Sequence, residues 1–223
     1  PQTLGWLLLG YGVVLLVGCL LLHHAVSPHP TPHGEVLASV WQAGTLVQRV
    51  VLASPDAPDD RIAQALAQGA HGLPLIGSCD WNDGLSNVGP AGRGESIFVG
   101  WFLHAILGAF APLCDERREG KRAKRYRAER ERLGTMLEQS WDGEWYRRAY
   151  FDDGTPLGSA QSDEGRIDSV AQTWAVLSGA APRERAERAM SAVRAHLVRR
   201  GSGVILLLTP PFDRTALDPG YIK

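Results

Sequence analysis

An excess of charge of either sign is missing from this sequence. Its 223 residues carry 23 Lys and Arg against 24 Asp and Glu, a net charge of -1, so there is no basic surface to argue for nucleic acid as a partner. Cysteine is scarce and scattered: Cys19, Cys79 and Cys114 form no CxxC pair, and an odd count argues against a disulfide framework. No HExxH, no GxSxG and no Cys/His metal spacing occurs. Neither a metal nor an organic cofactor is therefore expected. The stretch GRGES at 92–96 lacks the Gly-Lys-Ser/Thr ending of a phosphate loop. It reads instead as a loop entering a helix, with Glu95 in the first turn. No repeat of about 20 to 50 residues is visible.

Charge is also absent from the start of the chain, where the first acid is Glu35 and the first base Arg49. Residues 4–22 are uncharged and almost wholly apolar, just long enough for a membrane helix. Without flanking Lys or Arg they fit a buried helix as well. Residues 23–34, HHAVSPHPTPHG, read as a Pro/His linker, since its prolines forbid a helix interior. Residues 35–59 form a poorly defined connecting region, and 60–223 form the body of the protein. Ser54 or Asp56 can start a helix that Gly69 ends. Residues 95–114 predict a helix apolar on nearly every side. Residues 120–141 predict a charged helix with Tyr126, Leu133 and Leu137 on one stripe, its interleaved glutamates marking a solvated face. EWYRRAYF predicts a strand or extended segment, RIDSVAQTWAVLSGA a helix ending at Gly179, APRERAERAMSAVRAHLVRRG an amphipathic helix ending at Gly201, and GVILLLTPPFD a short strand broken by prolines. The pattern is one of stacked helical hairpins whose loops carry acids and aromatics.

One loop concentrates chemistry. Asp80-Trp81-Asn82-Asp83 lies between glycines 77 and 84. Carboxylates are seldom buried without partners, and a plain turn has no need of an indole. An acid beside an indole, partly shielded from water, can hold a proton at neutral pH and donate it to a glycosidic oxygen. The indole offers a sugar ring a stacking face and an N–H. An Asx-rich turn beside a core Trp would show the same letters. QSDEGRID brings Asp163, Glu164, Arg166 and Asp168 together, either as a surface ion-pair patch or as a sugar-contacting loop.

Three stretches carry a resemblance: GAHGLPLIGSCDWNDGLSNVGPAGRGESIFVGWFL, WYRRAYFDDGTPLGSAQSDEGRIDSVAQTWAVLSGAA and LLLTPPFDRTALDPGYIK. In this order they resemble the phosphorylases of glycoside hydrolase family 94 over roughly residues 60–223, and within that family the branch serving cyclic β-1,2-glucan synthesis. The resemblance implies a mainly α fold: a partial (α/α)6 barrel of helical hairpins with short β segments, here preceded by the hydrophobic N-terminal helix. It implies a glycosyltransferase of the inverting phosphorylase type acting on β-1,2-glucan or a related β-glucoside. Inorganic phosphate, as co-substrate, attacks the anomeric carbon while one carboxylic acid protonates the leaving oxygen, and no second carboxylate is needed as base. Asp83 matches the proton donor and Trp81 lines the sugar site. Asp80 and Asn82 shape the loop and, with Arg93 and Glu95, complete the candidate substrate-binding set. The implied partners are a β-glucan oligosaccharide and phosphate, and the implied location is the bacterial inner membrane, through residues 4–22, with the catalytic domain on the cytoplasmic side.

The sequence also departs from that pattern. An RDxxQD-type sugar-binding motif, expected before the acid loop, is not found. A GVRENGGQYTHA-like segment with a phosphate-site His is expected just beyond Lys223. The chain is therefore expected to be a fragment, inactive alone. Cys79 and Gly165 stand where the pattern places Gly and Cys. Two other readings stay open: a membrane-tethered remnant that binds glucan without turnover, and an inverting hydrolase on the same fold, with Glu164 and Asp168 the only nominees for its base.

Overall fold

The structure is a computed structural model, and it describes residues 65–214, 216 and 218–222. The apolar run at 4–22, the linker at 23–34, the region 35–59 and the helix start at Ser54 or Asp56 lie outside the described residues.

Four α-helices among the described residues make the protein mainly helical. Helix α1 spans Ile97–Glu116 and is buried on most sides, as its all-round apolar sequence requires. The Ser96 side chain caps it, accepting from the Val99 N–H at 3.1 Å. By length and composition α1 could cross a membrane, but over half of its most apolar stretch is buried inside the protein, as a core helix would be. Arg118, at φ 62°, turns the chain into α2, Gly120–Glu138, which packs along α1. Ala123, Tyr126, Leu133 and Leu137 form its buried stripe. Gly100 permits the close approach: a Cβ there would stand 2.8 Å from Leu137 Cδ2. The basic face of α2 lies outward and is paired in part, Arg132 with Glu129 and Arg127 with Asp115.

His104 lies in the buried face of α1. Burial, aided by the nearby Arg130 guanidinium, pushes its pKa down to about 4 from 6.5. The unfolded chain binds this proton first, so stability should rise between pH 4 and pH 6.5 and level off above. The full effect is about 3 kcal/mol, at 1.36 kcal/mol per unit. Urea unfolding across this window checks it. His104→Leu should flatten the profile, and an unchanged slope in that variant would remove His104 as its source.

Helices α3, Ser169–Leu177, and α4, Arg183–His196, complete the helical set, α3 packing on both α1 and α4. Among the described residues seven two-residue strands tie the loops together: β1 Glu95–Ser96, β2 Ala149–Tyr150, β3 Pro156–Leu157, β4 Ile167–Asp168, β5 Val198–Arg199, β6 Val204–Ile205 and β7 Leu208–Thr209. They form an antiparallel sheet β1-β2-β3 and the antiparallel pairs β4-β7 and β5-β6. Strand β1 runs directly into α1, and β4 into α3, so the ladders fix where both helices begin.

Several expected boundaries are corrected. EWYRRAYF, expected as a strand or extended segment, is strand only at Ala149–Tyr150, with a bend at Glu144 and Trp145. Upstream, the Gln172 amide takes a neighbouring strand's place, accepting from the Tyr146 N–H and donating to its C=O, both at 2.8 Å. Helix α3 starts at Ser169 rather than Arg166 because Ile167 and Asp168 pair with Thr209 and Leu208. Helix α4 ends at His196, before Gly201, because Val198–Arg199 turns back on Val204–Ile205. GVILLLTPPFD is two strands in separate ladders, not one.

Candidate active site

The acid loop lies beside β1 and the start of α1, and its four polar residues have different fates. The Asp80 side chain is 0% exposed. It meets the Arg148 guanidinium with both oxygens, at 2.7 and 2.8 Å. It also accepts from Ser96 Oγ at 2.7 Å and from the Asn82 N–H at 3.1 Å. Burial works to raise its pKa, but the Arg148 charge and these hydrogen bonds outweigh it and hold the carboxyl below its ordinary value. Asp80 is thus a fixed anion with no proton to give. Asn82 Oδ1 accepts from the Gly84 N–H at 3.0 Å and opens the single 3₁₀ turn Asp83–Leu85.

Trp81 is half-buried, its indole edge-on to the Phe98 ring at 6.4 Å between centroids. Asp83 is exposed, and Cys79 Sγ lies 3.6 Å from its Oδ1. The shielding expected around Asp83 is thus not provided by the described residues. Beyond the turn, Leu85 and Val88 enter a core cluster with Ile76, Ala149, Phe151, Leu157 and Phe212. The segment 218–222 closes over the same turn: Ile222 N–H donates to Gly84 C=O at 3.1 Å and Asn87 N–H to Pro219 C=O at 3.1 Å.

Arg93 is exposed on a loop stapled by Asp152, whose carboxylate accepts from the N–H groups of Ala91, Arg93 and Gly94. Glu95 is not in the first helical turn. It is in β1, 1% exposed, and its carboxylate accepts from the N–H groups of His71 and Leu73 and meets His71 Nδ1 at 2.5 Å. The expected place in a helix is corrected, and the buried Glu95 carboxylate, so engaged, anchors the turn before the acid loop. QSDEGRID is not a surface ion-pair patch either. Asp168 is buried, caps α3 through the N–H groups of Val170 and Ala171, and stands 3.5 Å from Arg148 Nε. Glu164 accepts from the backbone N–H groups of Asp213 and Arg214, and Arg166 donates to Ala160 C=O.

Arg148 is the residue that sequence reasoning missed. A signal existed: it alternates with Tyr146 and Tyr150, both buried, so the period of two places a charge on an inward face. The Gly at 165 has a local reason. It sits at φ +56°, and a Cβ would stand 2.1 Å from Phe212 Cζ. Gly165→Cys should therefore destabilise the protein by roughly 1–3 kcal/mol, read by urea unfolding, with Phe212→Leu restoring part of the loss. An unchanged midpoint would show that the contact yields freely.

The mainly helical domain holds one carboxylate of the acid loop as a buried strut and exposes the second, beside an indole, to solvent. The chain belongs to the glycosyl hydrolase 94 superfamily, matching its catalytic domain over residues 60–223. It is 51% identical over 156 residues to cyclic beta-(1,2)-glucan synthase NdvB of Rhizobium meliloti, covering 70% of this chain and 6% of that protein. It is 38% identical over 146 residues to 3-O-beta-D-glucopyranosyl-beta-D-glucuronide phosphorylase of Paenibacillus borealis, covering 65% of this chain and 19% of that one. It is 34% identical over 156 residues to cellobionic acid phosphorylase of Neurospora crassa, covering 68% and 19%. The chain thus spans less than a fifth of the length of these relatives.

Proposed function

We propose that this chain supplies the proton-donating part of an inverting glycoside phosphorylase domain of (α/α)6 architecture, acting with inorganic phosphate on β-1,2-glucan or a related β-glucoside in cyclic β-1,2-glucan synthesis. One observation carries the reading: of the two carboxylates in the acid loop, Asp80 is locked as a buried anion while Asp83, near Trp81 in the loop, is exposed on the surface. Asp83 protonates the leaving glycosidic oxygen as phosphate attacks the opposite face of the anomeric carbon. Trp81 forms a wall of the sugar site, and Arg93, on its stapled loop, contacts substrate. The rest of a longer catalytic domain shields Asp83 from water. The phosphorylase names among the relatives support phosphate as the co-substrate.

An inverting hydrolase is the weaker reading, since its nominated bases are engaged: Asp168 by Arg148 and a helix N-terminus, Glu164 by two backbone amides. The test exchanges residues 60–223 for the matching segment of the Rhizobium relative. With β-1,2-glucan oligosaccharides and phosphate, α-glucose 1-phosphate should form. Product formed equally well without phosphate would instead establish a hydrolase, and glucan binding with no product a non-catalytic remnant. Membrane attachment through residues 4–22, at the inner membrane with the catalytic part in the cytoplasm, belongs to the same proposal. Equal flotation with lipid vesicles by the whole chain and by 35–223 would remove it.

A further inference from the structure

We propose that Arg148 is the positioning residue of the acid turn, acting on Asp83 through the Asp80 carboxylate; the inference rests on the reading of Asp83 as proton donor. The Arg148 side chain is 1% exposed and joins three chain segments. Its two terminal nitrogens grip Asp80, with Ser96 Oγ, the cap of α1, 3.4 Å from Nη1. Its Nε faces Asp168, the cap of α3, at 3.5 Å. The guanidinium also stands 5.6 Å from the centre of the Phe98 ring, against which Trp81 packs edge-on. A planar fork on a carboxylate sets both the distance and the rotation of that carboxylate; a lysine ammonium would set only a distance. The rotation is passed on. Asp80 Oδ1 also holds the Asn82 N–H, and Asn82 Oδ1 holds the Gly84 N–H, so the residues on either side of Asp83 are fixed by a chain of contacts that ends at Arg148. The acid turn is thereby registered against the N-termini of α1 and α3 together.

Cys79 provides a reporter that needs no turnover. Burial holds its thiol above the ordinary value, and the Asp83 carboxylate and, after it, the Asp80 charge add to this, which slows alkylation near neutral pH. The rate of iodoacetamide labelling at Cys79 is measured in the whole 223-residue chain by mass spectrometry of its peptide, with buried Cys114 as the slow internal control. Asp83→Asn defines the rate once the neighbouring charge is gone. Arg148→Lys and the pair Arg148→Gln with Asp80→Asn should each raise labelling by about threefold or more, to near the Asp83→Asn rate, with helical content retained. The paired variant leaves Asp168 bonded to backbone N–H groups but also removes the Asp80 charge, so it is read against its own Asp83→Asn version. Equal rates show that Asp83 has already left Cys79, a further rise that it has not, and this comparison decides the matter if Arg148→Lys fails to fold. Native-like labelling in a folded paired variant would overturn the proposal. That result would leave the phosphorylase reading untouched, whereas absence of glucose 1-phosphate in the segment exchange would sink that reading without altering the labelling rates.

Discussion

Asp83→Asn, placed in the segment-exchanged enzyme, should lower phosphate-dependent cleavage of β-1,2-glucan by about 10³, within the range of 10² to 10⁴ expected for loss of a general acid. The asparagine matches the aspartate in size and leaves the 3₁₀ turn, which Asn82 caps, in place. What it removes is the proton. The loss should therefore depend on the leaving group. A dinitrophenyl glucoside, whose leaving oxygen needs no proton, should be turned over by Asp83→Asn nearly as fast as by the native protein, while the glucan is not. Asp80→Asn serves as the contrast: it disturbs the buried clamp and should slow both substrates together. An Asp83→Asn enzyme equally impaired on both would show that Asp83 holds the loop rather than the proton, and an unimpaired one would remove it from the reaction.

The helices were legible because their signals are local. The stripe Tyr126, Leu133, Leu137 repeats at helical spacing, and those three side chains are buried in α2 as the pattern requires. The strands were not, because a two-residue strand exists only through its partner: nothing in the letters around Ile167 says that Thr209 lies opposite. The same division runs through the site. The acid loop could be singled out from its residue types, whereas the division of roles between Asp83 and the loop-shaping Asp80 and Asn82 was implied only by the family resemblance. Its support could not. Arg148 lies 68 residues from Asp80, and its neighbour Arg147 pairs with Asp142 instead, so sequence offers two arginines and only packing selects one. Glu95 failed for a related reason. Its letters read as a helix start, but the isolated bridge between Leu75 and Glu95 draws it into the sheet and points its carboxylate at His71 and Leu73. Propensity near a helix boundary is weak against a cluster of buried hydrogen bonds.

Arg148→Met should cost about 3–5 kcal/mol of folding stability, because it strands a buried carboxylate without its cation. The magnitude follows from burial: Arg148 and Asp80 are 1% and 0% exposed, so neither gains water in exchange for its partner. Removing both charges should cost less. In a double-mutant cycle, Arg148→Met with Asp80→Asn should recover part of the loss, since Asp80 is then neutral while Asp168 keeps only its backbone N–H donors. The pH dependence gives an independent signature. In the native protein Asp80 has a lowered pKa, so its contribution to stability is present above the unfolded value near 3.9 and is lost as pH falls through the folded one. In Arg148→Met burial acts on Asp80 with only the Ser96 and Asn82 hydrogen bonds to oppose it, so its pKa rises above the native value and the protonated form is favoured. The gap between native and variant should therefore be widest near neutrality and narrow as the pH falls toward and below about 4. Urea unfolding of the four proteins across that range measures both effects. A loss under about 1 kcal/mol that is the same at every pH is the behaviour of a solvated surface pair. It would mean that the acid turn is not anchored through Arg148 and that Asp83 owes its place to the 218–222 segment and the Leu85 and Val88 core contacts alone.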